Sequence, residues 1–220
     1  MKILFQGDSI TDGNRYKDEA SRWDKNHQIG HTYVYIVTGL LGMKFPEQHY
    51  EFVNRGISGN RTVDLLSRWE KDTLSENPDV LSVLIGVNDC NYPVEGEEND
   101  VACVGYEKRY RELLTLAKAN NSSLRLILLE PFGYLENWNC DADNLAVRRE
   151  KMANEQRIVK TLAAEFDAVF VPLQSAFDAA KQEREASYWI WDGVHPTEAG
   201  HAIIAREFFK CTKPIFNFEL

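Results

Sequence analysis

The sequence predicts an α/β fold, a three-layer αβα sandwich around a five-stranded parallel sheet. Three observations carry this expectation. Five short runs rich in apolar and β-branched residues are spread along 220 residues. Stretches of helical period separate them, the alternation of βαβ units. The runs are apolar throughout rather than alternating, as strands covered on both faces by helices must be.

Strands are expected at 2–6, 50–54, 80–85, 124–129 and 168–171. The first helix is "YVYIVTGLLG", apolar enough to be buried. "TVDLLSRWEKDTL" follows the second strand, with Val63, Leu66 and Trp69 at helical spacing. "YEKRYRELLTLAKAN" follows the third, with Tyr106, Tyr110, Leu113, Leu114 and Ala117 on one face and cations on the other. "NLAVRREKMANEQRIVKTLAAEF" follows the fourth, and "EAGHAIIAREFFKC" closes the fold. Irregular structure is expected at 13–28, at the acidic "EGEEND" and at "FGYLENWNCDADN". The last is either a substrate loop or a plain strand exit. One domain, 1–220, accounts for the whole pattern.

Composition narrows the partners. The formal net charge is −9 and the pI is near 5.1, which disfavours nucleic acid and anionic membrane, since counterion release needs a basic surface. A neutral small-molecule or oligosaccharide substrate fits better. The apolar run after Lys2 ends at Phe5, too short for a secretory h-region. Cys90, Cys103, Cys140 and Cys211 show no C-x-x-C spacing, so the expectation is reduced thiols in a cytoplasmic protein. His27 and His31 are four apart, but Gly30 lies between them and no H-E-x-x-H arrangement exists. No metal and no cofactor are expected, and His201 reads as a helix residue.

Four features fall where strands end or where the last helix begins. Ser9 follows the first strand in "QGDSI", and Gly59 follows the second in "NRGISGNRT". Asn88 follows the third in "IGVNDC", and Asp192 and His195 precede the final helix in "WDGVHPTEAGH". A serine hydroxyl needs a base to become a nucleophile, and His195 can serve. The imidazole needs an acceptor that orients it, and Asp192 lies three residues earlier on the same loop. The N–H groups of Ser9 and Gly59 and the Asn88 amide supply three donors for an oxyanion. Asp8 reads as a turn or cap residue, not the acid.

These blocks, "GDSI", "SGN", "GVND" and "DGVHP", resemble those of the SGNH hydrolases, also called GDSL esterases, in order and spacing from Gly7 to Pro196. Ile10 replaces the leucine of that motif. The resemblance implies a flavodoxin-like sandwich, Ser9, His195 and Asp192 as catalytic triad, and Ser9, Gly59 and Asn88 as oxyanion hole. "SRWEKDTLSENPDVLSVLIGVND" and "YWIWDGVHPTEAGH" look most like the acetylxylan and rhamnogalacturonan acetylesterase branch. That branch implies a serine esterase acting on short acyl esters, chiefly acetyl groups on carbohydrate. Homo-oligomers are frequent among such enzymes, so self-association is expected.

Candidate substrate-binding residues surround the blocks. Tyr188, Trp189 and Trp191 could stack on sugar rings, or could be core. Arg55, Asn60 and Arg61 could reach hydroxyls, or the arginines could be solvated surface. A lysophospholipase or acyl thioesterase of the same fold would use the same triad, and a catalytically silent carbohydrate-binding protein would keep the fold alone.

Overall fold

A computed structural model describes residues 1–18, 25–137, 142–218 and 220. Five strands form one parallel sheet: β1 (Lys2–Gly7), β2 (Glu51–Asn54), β3 (Val80–Leu84), β4 (Arg125–Leu129) and β5 (Val169–Val171). Their order is β2-β1-β3-β4-β5. Gly7 pairs with Leu84 at the carboxyl end of β1 and β3. The chain leaves β1 toward one edge and returns past it to build the other. The crevice outside the carboxyl ends of β1 and β3 is therefore the switch point where such sheets bind ligands.

The helices are α1 (Ser9–Asp12), α2 (Lys25–Ile29), α3 (Tyr33–Lys44), α4 (Thr62–Trp69), α5 (Val87–Asn91), α6 (Val104–Asn120), α7 (Ala142–Glu165), α8 (Gln174–Glu183), α9 (Ala186–Trp189) and α10 (Glu198–Phe216). Alternation along the strands sends side chains to opposite faces. Ile3 and Phe5 join Val34, Val37, Leu41, Phe177, Ile204 and Phe208 in one core. Leu4 joins Leu65, Trp69, Tyr110, Leu114, Val159 and Leu162 in the other. The sandwich and its five parallel strands thus follow the sequence expectation, with strand bounds within one residue.

The helices depart from it in detail. In α4 the buried stripe is Leu65 and Trp69, while Val63 and Leu66 are only half-buried. The helix then widens into a π turn, Glu70–Leu74, which rotates the following residues away from a strict 3.6 period. α10 runs five residues past Cys211 and holds Pro214. α2 falls partly within the stretch expected to be irregular, and α7 begins inside another. α5, α8 and α9 are short elements without a long periodic stripe, and the sequence reading left them out. Cys140 lies outside the described residues. Among those described, Cys90, Cys103 and Cys211 are free thiols, and no helix is long and apolar enough to cross a membrane.

Candidate active site

Ser9 begins α1 directly after β1. Gly7 makes the turn possible through close approach: a Cβ there would sit 2.3 Å from the Leu84 carbonyl oxygen and 2.4 Å from Thr11 Oγ1. Asp8 caps the helix, its Oδ1 accepting the Ile10 N–H at 3.0 Å. It is buried, and burial pushes its carboxyl up to about 7 against the Ile10 hydrogen bond and the nearby His195. This is the cap role expected of Asp8.

Asp192 and His195 share a loop closed by the Ile190–Pro196 bridge and by the Trp191 N–H, which donates to the His195 carbonyl at 3.1 Å. Asp192 Oδ1 accepts the N–H groups of Val194 at 2.9 Å and His195 at 2.7 Å. Its Oδ2 lies 2.6 Å from His195 Nδ1. Burial alone would raise this carboxyl, but the hydrogen bonds from His195 and Val194 hold it below the usual carboxylate range. On the far side of the ring, His195 Nε2 is 2.9 Å from Ser9 Oγ. With Nδ1–H held by the carboxylate, Nε2 offers its lone pair to the serine proton. The loop leaving β4 braces the arrangement, the Tyr134 N–H donating to the Gly193 carbonyl at 2.8 Å.

Two further loops bring donors beside the turn that carries Ser9. Gly59 adopts φ +81°, a left-handed turn with open space where a side chain would stand. Asp12 Oδ2 fixes this loop by accepting the Ser58 N–H at 3.0 Å. Asn88, on α5, donates through Nδ2 to the Asn60 carbonyl at 3.1 Å and lies 3.5 Å from Asp8 Oδ2. Behind it Asp89 accepts the Thr62 N–H at 3.0 Å and the Thr62 hydroxyl at 2.5 Å, joining α5 to α4. Burial raises the Asp89 carboxyl to about 6 despite those bonds. Among the described residues, the Ser9 and Gly59 N–H groups have no protein acceptor, so both can serve an incoming oxyanion.

The crevice is a cleft of about 560 Å³ lined by Ser9, Asn14, Lys17, His31, Trp191, His195 and His201 among others. Trp191 is 62% exposed and stacks on His195 with ring centroids 6.0 Å apart. The other candidate substrate residues lie elsewhere or are already engaged. Tyr188 packs edge-on against Trp189 and under Arg184, and neither aromatic lines the cleft. The Trp189 indole N–H is buried without a partner. Arg55 pairs with Glu76 and lines a separate cavity beside β2. Arg61 holds Asp64 and the carbonyls of Tyr92 and Pro93. The Asn60 amide oxygen accepts from Arg68 at 2.7 Å. His27 lies outside this cleft. Asp12 and His201 line the cleft, which sequence reasoning did not foresee for either. For Asp12, the one signal was its place in the first turn after Ser9.

The model of the GDSL-like Lipase/Acylhydrolase family matches residues 5–203. An acetylxylan esterase from Geobacillus stearothermophilus is 37% identical over 212 residues, 95% of this chain and 92% of that protein. A solved structure of a GDSL-like lipase candidate from Parabacteroides merdae superposes with a TM-score of 0.86 at 35% identity, covering 96% of this chain and 94% of the other. A point variant of an acetyl-xylooligosaccharide esterase from Geobacillus stearothermophilus gives 0.81 at 37% identity, over 99% and 94% of the two chains.

Proposed function

The chain belongs to the GDSL-like lipase/acylhydrolase family, and from that premise we propose that it removes acetyl groups from carbohydrate, with Ser9 as nucleophile, His195 as base and Asp192 as orienting acid. It is a carboxylic ester hydrolase. The observation that carries the reading is the unbroken relay from Ser9 Oγ to His195 Nε2 at 2.9 Å and from His195 Nδ1 to Asp192 Oδ2 at 2.6 Å.

Ser9 Oγ attacks the ester carbonyl carbon as its proton passes to His195 Nε2. The carbonyl oxygen, now negative, receives the N–H groups of Ser9 and Gly59 and the Asn88 amide proton that otherwise points to Asp8 Oδ2 at 3.5 Å. Collapse breaks the bond to the sugar oxygen, which leaves with the proton from His195. Water then attacks the acetyl-serine as His195 takes its proton, and collapse breaks the bond to Ser9 Oγ, which recovers the proton from His195 as the acetyl group departs as acetate. Asp192 stays ionised throughout, in keeping with the hydrogen bonds that hold its carboxyl low.

Short acyl groups suit an open cleft in which Asn14, Lys17, His31 and Glu198 stand beside Trp191 and Pro196. Trp191 offers the exposed ring face for a sugar. The acetylxylan esterase relative supports carbohydrate as the alcohol side. We place the activity in a single domain of a cytoplasmic homo-oligomer, and the free Cys90, Cys103 and Cys211 accord with a reducing compartment. An ester panel tests the substrate class. Acetate release from acetylated xylo-oligosaccharides, with 4-nitrophenyl acetate cleaved far faster than the dodecanoate, is the expected result. Faster dodecanoate cleavage with no acetate from any glycan would assign the chain to lysophospholipase or thioesterase chemistry. Absence of all turnover would leave a binding protein.

A further inference from the structure

His201 stands in the first turn of α10, 9% exposed, and lines the same cleft as Ser9, Trp191 and His195. Its Nδ1 lies 3.2 Å from the backbone nitrogen of Tyr33 at the start of α3. A backbone N–H can only donate, so Nδ1 is the acceptor and a neutral ring carries its proton on Nε2. The ring is neutral because burial, helped by His31 and His195 nearby, pushes it down to about 4. Among the described residues no hydrogen bond to Nε2 accompanies the one at Nδ1. With Nδ1 turned to Tyr33, Nε2 is the ring nitrogen left to face the cleft that His201 lines.

We propose that His201 offers its Nε2–H to the alcohol portion of the ester and selects hydroxylated alcohols. The proposal rests on the esterase reading above. A neutral donor suits a hydroxyl or ether oxygen, whereas the cationic group lining the cleft, Lys17, is held by Asp12 Oδ2 at 2.9 Å. His201 adds recognition beside the Ser9–His195 relay without entering it.

The test compares kcat/KM on glycerol monoacetate with kcat/KM on 4-nitrophenyl acetate, and repeats the comparison with an acetylated xylo-oligosaccharide. His201→Asn keeps an acceptor for the Tyr33 N–H and deletes the distal donor. His201→Gln places an amide N–H near the position of Nε2. The hydroxylated-to-aryl ratio should fall about tenfold in His201→Asn, chiefly through KM, and return to within about threefold of wild type in His201→Gln. A ratio unmoved in His201→Asn, or equal loss on every ester with a lowered Tm, overturns the proposal. If His201→Asn does not fold, a tenfold fall in His201→Gln overturns it equally. A wild type that cleaves glycerol monoacetate but no glycan refutes the carbohydrate reading alone, because the glycerol ratio still tests His201.

Discussion

Asp12 Oδ2 lies 3.0 Å from the Ser58 N–H, and this contact, with the Ile57 N–H that donates to the Gly7 carbonyl at 3.1 Å, ties the turn that carries Ser9 to the loop that carries Gly59. The carboxylate is buried and also holds Lys17 Nζ and the Arg15 N–H. Asp12→Ala removes the acceptor all three share. The loop carrying the Gly59 N–H then loses one of the bonds that fix it relative to Ser9. Steady-state kinetics should show kcat lowered about tenfold to a hundredfold, part of the 10² to 10³ that a fully lost oxyanion donor costs. KM should change less. Unfolding in urea should show a loss of about 1–3 kcal/mol from the broken buried hydrogen bonds. A kcat within twofold of wild type would separate Asp12 from the donor.

Asn88 Nδ2 holds the Asn60 carbonyl at 3.1 Å and reaches Asp8 Oδ2 at 3.5 Å, the longer contact being the one it would exchange for the oxyanion. Asn88→Ala should lower kcat by about 10² to 10³ with a smaller change in KM, since the charge it meets exists mainly in the transition state. Asn88→Asp keeps the size but presents a charge to the oxyanion, and should be at least as damaging. A rise in KM with kcat unmoved would make Asn88 a ground-state binding residue.

The pH dependence of stability follows from burial. His201 is held down to about 4, against about 6.5 for an unfolded histidine. Between those values the unfolded chain takes up a proton that the native chain refuses. The stability present above pH 6.5 is therefore lost as the pH falls toward 4, by about 3 kcal/mol in all. Asp8 and Asp89 act in the opposite sense. Burial raises them to about 7 and about 6, so their contribution is present at low pH and lost as the pH rises through those values. Urea denaturation of wild type and His201→Asn side by side isolates the histidine. The wild type should lose about 3 kcal/mol relative to the variant between pH 7 and pH 4. A gap constant with pH would contradict this.

The strands were legible because runs such as "VLSVLI" are too short and too apolar for anything but a doubly covered strand. The sequence order of Ser9, Asp192 and His195 showed that they could meet, because strand ends converge at the switch point of a parallel sheet, and the structure brings these three into contact. The surrounding residues were harder to read. Arg55 and Arg61 looked free to meet a ligand, but Glu76 and Asp64 lie within reach of them, and an ion pair across 21 residues leaves no periodic trace. Trp189 and Trp191 are two residues apart and met opposite fates. Trp189 packs against the core, while Trp191 turns out over His195. His201 reads as one more residue in an apolar helix, since only tertiary packing brings Tyr33 to its Nδ1.

Acetate release from acetylated xylo-oligosaccharides by wild type and Ser9→Ala is the most direct measurement of the central claim, that Ser9 is the nucleophile of an acetyl esterase. Ser9 Oγ is the atom that His195 Nε2 faces at 2.9 Å, so its removal disables the attack while leaving cleft and donors in place. The expected result is ready release by wild type and a fall in kcat of about 10⁴ to 10⁶ in Ser9→Ala, with Ser9→Ala/His195→Ala little worse because the two act as one unit. Activity of Ser9→Ala within tenfold of wild type would contradict it.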